Sequence, residues 1–302
     1  MTPSLLLARN MLYNRIMRWT PGGVSNDLED RRGSSGGGFR LGGGMPMGIG
    51  GAVVLLILSL VFGKNFFALL GGGGGEAPPA GQAQPVNETP AERQQVEFIS
   101  DVLDDAQVNF WQKALPEQQG TEYRRAKLVL FRDAIDTACG FGQAAAGPFY
   151  CPSDEKVYID LAFFDELHAR FGAPGDFAQA YVLGHEIGHH VQNVVGIAPK
   201  VREAMQRDPS NARALSVRLE LQADCLAGVW ANSAAKRNVL EPGDVEEGLG
   251  AAAAVGDDRI QKMSGRAVNP ESFTHGSARE RMEWFQRGFG SGRIADCDTF
   301  SR

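Results

Sequence analysis

Only four cysteines and five histidines occur in these 302 residues, and no two cysteines form a CxxC pair. That absence argues against a thiolate zinc cluster and against thioredoxin-type redox chemistry. Basic charge is short as well. Thirty Lys and Arg stand against 36 Asp and Glu, for a net charge of −6, so there is no electrostatic footprint for nucleic acid. No internal repeat is present. Long uncharged apolar runs are also scarce, with one exception, Met45 to Phe62 (MPMGIGGAVVLLILSLVF).

That run spans about 27 Å as a helix, close to the ~30 Å hydrocarbon core of a bilayer. Lys64 can snorkel at its end. Arg9, Arg15, Arg18, Arg31, Arg32 and Arg40 precede it, whereas Lys64 is the one base close behind. The positive-inside rule then puts the N-terminus in the cytoplasm and the rest of the chain outside. A cleaved signal peptide would not carry so long a stretch before its apolar core. The expected organisation is a disordered cytoplasmic segment over 1–44, a transmembrane helix over 45–63, a flexible linker over 64–91 rich in Gly, Pro, Ala and Gln, and a folded extracytoplasmic domain over 92–302. In a Gram-negative cell that domain would be periplasmic. The four cysteines, Cys139, Cys151, Cys225 and Cys297, are either buried thiols or two disulfides. The membrane segment favours disulfides, pairing Cys139 with Cys151 across a glycine-rich turn and Cys225 with Cys297.

Beyond residue 91, Val96, Ile99, Val102 and Leu103 recur at helical spacing, continuing to Val108, Phe110 and Trp111. Lys127–Phe131 and Lys156–Ile159 read as strands. Helices are expected over 163–171, 177–195 with Asp176 as N-cap, 212–236, 245–263 and 278–288. The domain is therefore α+β, helix-dominated, with a small sheet.

The chemistry concentrates in the helix over 177–195. His185-Glu186-Ile187-Gly188-His189 is an HExxH motif, and a spacing of four sets both imidazoles on one helix face, one turn apart, where they can grip a zinc ion. Glu186, beside that face, is the candidate base for activating water. Tyr181, Val182, Leu183 and Ile187 make the helix core-facing, and buried histidines need partners. A catalytic zinc wants a third protein ligand. Glu220 is that candidate, with Asp224 one turn on to accept the outer N–H of His185. The alternative is two solvated carboxylates beside Arg213 and Arg218. His190 points about 100° away from the ligand face, and His168 reads as structural.

HExxH followed about thirty residues later by ExxxD resembles the gluzincin arrangement of thermolysin and its relatives. From Met17 onward the chain more closely resembles the bacterial family of neutral zinc metallopeptidases. The matching pieces are Met17-Arg-Trp, Glu29-Asp-Arg-Arg32, Phe149-Tyr-Cys-Pro152, Val157-Tyr-Ile-Asp160, Gly184-His-Glu-Ile-Gly-His-His-Val-Gln192, Glu220-Leu-Gln-Ala-Asp224 and Thr274-His-Gly276. The first sixteen residues fall outside the resemblance, which makes Met17 a candidate start. The resemblance implies a zincin-like fold, Zn2+ as cofactor and a peptide or protein substrate. By the gluzincin analogy, His275 would donate to a developing oxyanion, and Val157–Ile159 would be either a substrate-binding edge strand or an ordinary core strand.

The sequence thus leads to a membrane-anchored zinc metallopeptidase, an endopeptidase rather than an exopeptidase. His185, His189 and Glu220 hold the metal, Glu186 and His275 act on substrate, and Asp224 supports His185. The competing readings are a zinc-containing scaffold protein, for which Glu186 would be dispensable, and an amidase acting on cell-wall peptides. Nothing in the sequence points to an oligomeric state.

Overall fold

A near-continuous apolar run, KLVLF, suits a strand covered on both faces, and β2 (Lys127–Phe131) is buried along all but its first residue. It lies inside a four-stranded sheet of order β1 (Leu28–Asp30), β2, β6 (Lys156–Asp160) and β5 (Phe149–Cys151). The computed structural model describes residues 17–21, 23–33, 86, 88–143, 147–171 and 175–301. β1, β2 and β6 run parallel, and β5 is antiparallel to β6. Alternation sorts their side chains: Leu128, Leu130, Val157 and Ile159 join the main core, while Val129, Phe131 and Tyr158 face a smaller cluster with Ile135 and Cys151. Ile135 belongs to a hairpin of β3 (Ala134–Thr137) and β4 (Gly140–Gln143).

The helices are α1 (Pro90–Asp104), continued by a π-helical stretch Asp105–Trp111 into α2 (Gln112–Gln119), then α3 (Ala162–Phe171), α4 (Asp176–Val194), α5 (Ile197–Arg207), α6 (Ala212–Lys236), α7 (Asp244–Ala254), α8 (Asp257–Met263) and α9 (Ala278–Ser291). A Thr89–Glu92 capping box opens α1 and a Ser277–Glu280 capping box opens α9. The α+β, helix-dominated expectation holds. The expected helix over 245–263 is two helices, α7 and α8. The chain breaks at Gly256, whose backbone lies against Ala278, and Asp257 turns toward the 274–276 backbone.

The N-terminal expectation needs correction. Residues 17–32 were expected to be disordered, yet Met17 is 1% exposed within the main core and Arg18 N–H donates to the Val239 carbonyl. β1 pairs with β2 over Leu28–Asp30, and the buried Arg32 reaches both Asp30 and Glu88 at 2.7 Å. Glu88 and the first turn of α1 therefore belong to the folded body too, not to a linker ending at 91. The apolar segment 45–63 lies outside the described residues. Among the described residues, no helix is long and apolar enough to cross a membrane.

Both cysteine pairs are joined as expected, Cys139–Cys151 and Cys225–Cys297. The second ties α6 to the C-terminal turn Ile294–Cys297.

At the start of α4 the N-cap is Gly175, not Asp176. Its φ of +125° suits glycine, and a Cβ there would collide with the Glu247 carboxylate. Asp176, Asp244 and Glu247 consequently meet in one acidic cluster. Burial, then the charges of Asp176 and Asp244, push the Glu247 carboxyl from its ordinary 4.5 up to about 7. Burial and the neighbouring carboxylates likewise raise Asp244 to about 6. A folded-state pKa above the unfolded one means that the folded protein holds this proton more tightly. The destabilisation is absent below about 4.5, grows as pH rises and is complete above about 7. Glu247→Gln is therefore expected to raise the melting temperature at pH 8 by a few degrees, at ~2–4 °C per kcal/mol, and to leave it nearly unchanged at pH 4.5. Thermal denaturation at the two pH values checks this. Equal shifts at both would rule out an ionised Glu247 as the cause.

Candidate metal centre

Two helices must come close for HExxH and ExxxD to meet, and glycine makes room. A Cβ on Gly188 would stand 2.9 Å from the Ala223 carbonyl oxygen, so α4 and α6 pack with their backbones nearly touching. Gly188 sits between the two imidazoles in sequence, and Ala223 lies between Glu220 and Asp224. The close approach therefore sets the four side chains face to face.

The ring nitrogens and the carboxylate converge as the spacing predicts. His185 Nε2 is 3.2 Å from Glu220 Oε2, and His189 Nε2 is 3.5 Å from Glu220 Oε1. One donor atom from each of the three residues falls within 4.8 Å of the others. Glu220 is 17% exposed at its side chain and Asp224 fully buried, so they do not form a solvated outer face with Arg213 and Arg218. Burial works against charge on Glu220, but His189 and His185 outweigh it and hold its carboxyl well below the ordinary range. Burial also opposes charge on His185, yet Asp224 and Glu220 overcome it and raise the imidazole to about 10. These groups thus favour a positive charge at their centre.

The donor set fits zinc. Two imidazoles and one carboxylate from the protein, beside a cavity, make the three-ligand arrangement of catalytic zinc sites, which keep one position open for water or substrate. The ring nitrogens facing away from Glu220 are both engaged, which leaves each Nε2 for the metal. His185 Nδ1 is 2.8 Å from Asp224 Oδ1, the partnership expected from the sequence. His189 Nδ1 is 2.9 Å from Gln192 Oε1.

Glu186 is 7% exposed and lines the same cavity as the three donors. Burial raises its carboxyl pKa, against the neighbouring imidazoles. His275 also lines this cavity, from a turn ahead of α9. Asp257 holds that turn. Its Oδ2 accepts the backbone N–H groups of Thr274, His275 and Gly276, and its Oδ1 is 3.2 Å from His275 Nδ1. His190 faces elsewhere, with Nδ1 near the Tyr150 hydroxyl and Nε2 near the Arg124 carbonyl. His168 lies on the surface.

Of the two readings of Val157–Ile159, an edge strand or a core strand, the structure bears out the second. Val157–Ile159 lies in β6, between β2 and β5, and is a core strand. The edge belongs to β5, and Phe149 and Tyr150 line the cavity. Strand order depends on which neighbour each strand finds, and no residue of KVYI encodes it.

Several residues at this centre carried no recognised signal. Arg281 is 3% exposed, and its guanidinium spans the Asp224 carboxylate, Nε to Oδ2 at 2.8 Å and Nη2 to Oδ1 at 2.9 Å. It also reaches the Tyr181 hydroxyl and the Val255 carbonyl. Tyr181 donates to Asp224 Oδ1. Helical spacing could have exposed Tyr181, four residues before His185, and Gln192, three after His189. Nothing local marks Arg281, which reaches the centre from a separate helix.

Residues 17–300 match the family described as "Putative neutral zinc metallopeptidase". The chain is 47% identical over 294 residues to Uncharacterized protein YpfJ of Escherichia coli K12, across 95% of this chain and 99% of that relative. It is 44% identical over 202 residues to Uncharacterized protein Rv2575 of Mycobacterium tuberculosis H37Rv, across 63% of this chain and 66% of that relative. No solved structure matches.

Proposed function

The chain belongs to the neutral zinc metallopeptidase family, and from that premise we propose that it is an endopeptidase, its zinc held by His185, His189 and Glu220, acting on extracytoplasmic or membrane proteins or peptides. The observation that carries the reading is the convergence of one donor atom from each of those three residues within 4.8 Å, with Glu186 on the wall of the same cavity.

Zinc bound there supplies Lewis acidity toward water and the scissile carbonyl. Glu186 takes a proton from the attacking water on its carboxylate and passes it to the departing amine. Asp224 and Gln192 hold the two imidazoles by Nδ1. Asp257 raises the pKa of His275 and so favours its imidazolium, which donates from Nε2 to the oxyanion as charge develops there. β5, bonded along one side to β6, offers its other side to the backbone of an extended substrate. A chain held by its backbone need not present a terminus, which supports internal cleavage.

Membrane attachment through 45–63 is part of the proposal, and the two disulfides support an oxidising compartment outside the cytoplasm. The folded body adds a constraint. A single crossing at 45–63 would separate residues 17–32 from 88–301, yet β1 and β2 share a sheet and Arg32 pairs with Glu88. We therefore propose, in place of an N-terminus inside and a domain outside, that both flanks of the apolar segment lie on the same side of the membrane.

The test uses the full chain, since a chain begun near residue 91 would lack β1, Met17 and Arg32. It should carry roughly one zinc and cleave an unfolded protein at internal bonds, with cleavage lost on chelation and restored by zinc. Tags beside the exposed Val24 and at the C-terminus should both be labelled by an impermeant reagent in intact spheroplasts. A chain that binds no zinc would overturn the metal assignment. Labelling of one tag alone would overturn the shared-side topology.

A further inference from the structure

Two buried glutamines connect a metal-facing histidine to the C-terminal turn. Gln192 is fully buried and Gln222 is 5% exposed, so their amides must find partners inside the protein. Gln192 Nε2 donates to the Leu219 carbonyl at 2.7 Å and to Gln222 Oε1 at 3.1 Å. Gln222 Nε2 donates to the Cys297 carbonyl at 3.0 Å.

A backbone carbonyl can only accept, which makes the orientation of both amides deducible. Turning Gln192 over would press its oxygen against the Leu219 oxygen. Turning Gln222 over would do the same at Cys297 and would also set two N–H groups against each other at Gln192. Both hydrogens of Gln192 Nε2 are thus committed, and its Oε1 is left facing His189 Nδ1 at 2.9 Å. An oxygen there accepts, so His189 must carry its proton on Nδ1. In the neutral ring the lone pair is then on Nε2, the nitrogen beside Glu220.

We propose that Gln192 and Gln222 are positioning residues that hold His189 in its Nδ1–H tautomer, ready to bind metal through Nε2. The anchors of this relay are the Leu219 carbonyl in α6 and the Cys297 carbonyl, the latter fixed by the Cys225–Cys297 disulfide and by the nearby Thr299 hydroxyl, which donates to the Arg218 carbonyl at 2.8 Å. The C-terminal turn therefore takes part in setting up the metal centre, although Cys297 lies far from the ligands in sequence. His185 is held differently, by a carboxylate that accepts from Nδ1 with no amide to orient.

The inference rests on the zinc-site reading, and its test separates the two. In the zinc-free full chain, 15N spectra of the histidine rings, read at a pH where His189 is neutral, should show Nδ1–H for His189. Gln192→Met should shift that ring toward Nε2–H and weaken zinc binding by ~10–100-fold in chelator competition. Gln222→Met should weaken binding less, and should add little in the Gln192→Met background because both act through one path. A wild-type ring already in the Nε2–H form overturns the relay without any variant. So does wild-type zinc affinity in Gln192→Met, or an undiminished Gln222→Met effect in the double variant. If the wild type takes up no zinc, the zinc-site reading fails instead, while the tautomer result still stands by itself.

Discussion

Glu186→Gln is expected to keep roughly one zinc per chain and to lose peptide hydrolysis by ~10²–10⁴-fold, the usual contribution of a positioned general base. The amide has nearly the size of the carboxylate, so the cavity wall is preserved, but it cannot take up a proton. Glu186 is not among the three residues whose donor atoms converge, and zinc content should not depend on it. Glu220→Ala should do the reverse and lose zinc along with activity. Metal analysis beside turnover of an unfolded protein separates the two outcomes. Activity of Glu186→Gln within tenfold of the wild type would remove Glu186 from the mechanism, and would favour a zinc-containing scaffold if the wild type is equally inert.

The second large effect is expected at Arg281. Its guanidinium is buried against Asp224, which also accepts from Tyr181 and pairs with His185. Arg281→Met leaves that carboxylate buried without its cation, a change that typically costs ~3–5 kcal/mol. At ~2–4 °C per kcal/mol for a domain of this size, the melting temperature should fall by ~6–20 °C. Replacing both partners, Arg281→Met with Asp224→Leu, should recover much of the stability, because no uncompensated charge remains. Zinc affinity should stay impaired in the double variant, since His185 has then lost the acceptor at Nδ1. Thermal denaturation and chelator competition on Arg281→Met, Asp224→Leu and the double variant form the cycle. A loss under ~1 kcal/mol in Arg281→Met would mean that water reaches Asp224 and that the pair does not hold the centre together.

Arg281 reaches its place through close helix packing. A Cβ on Gly288 would stand 1.9 Å from the Cys225 carbonyl oxygen, and one on Gly228 would stand 2.2 Å from that of Phe285. The two glycines let α9 lie against α6 backbone to backbone. Either glycine replaced by a larger residue would push the helices apart and draw Arg281 away from Asp224.

What the sequence by itself determined is what local geometry can carry. A spacing of four on a helix places His185 with His189 and Glu220 with Asp224, whatever surrounds them. The apolar run KLVLF and the pattern of KVYI specify strands, and the buried flanks of HExxH show that its histidines need partners. The tertiary structure decided the rest. It chose β5 rather than β6 as the edge and drew residues 28–30 into the sheet from beyond the apolar segment. It delivered Arg281, Asp257 and the Cys297 carbonyl to a centre built on α4 and α6. Strand order, helix contact and the orientation of a buried amide depend on groups far apart in the chain. Short-range periodicity carries no record of which of them will meet.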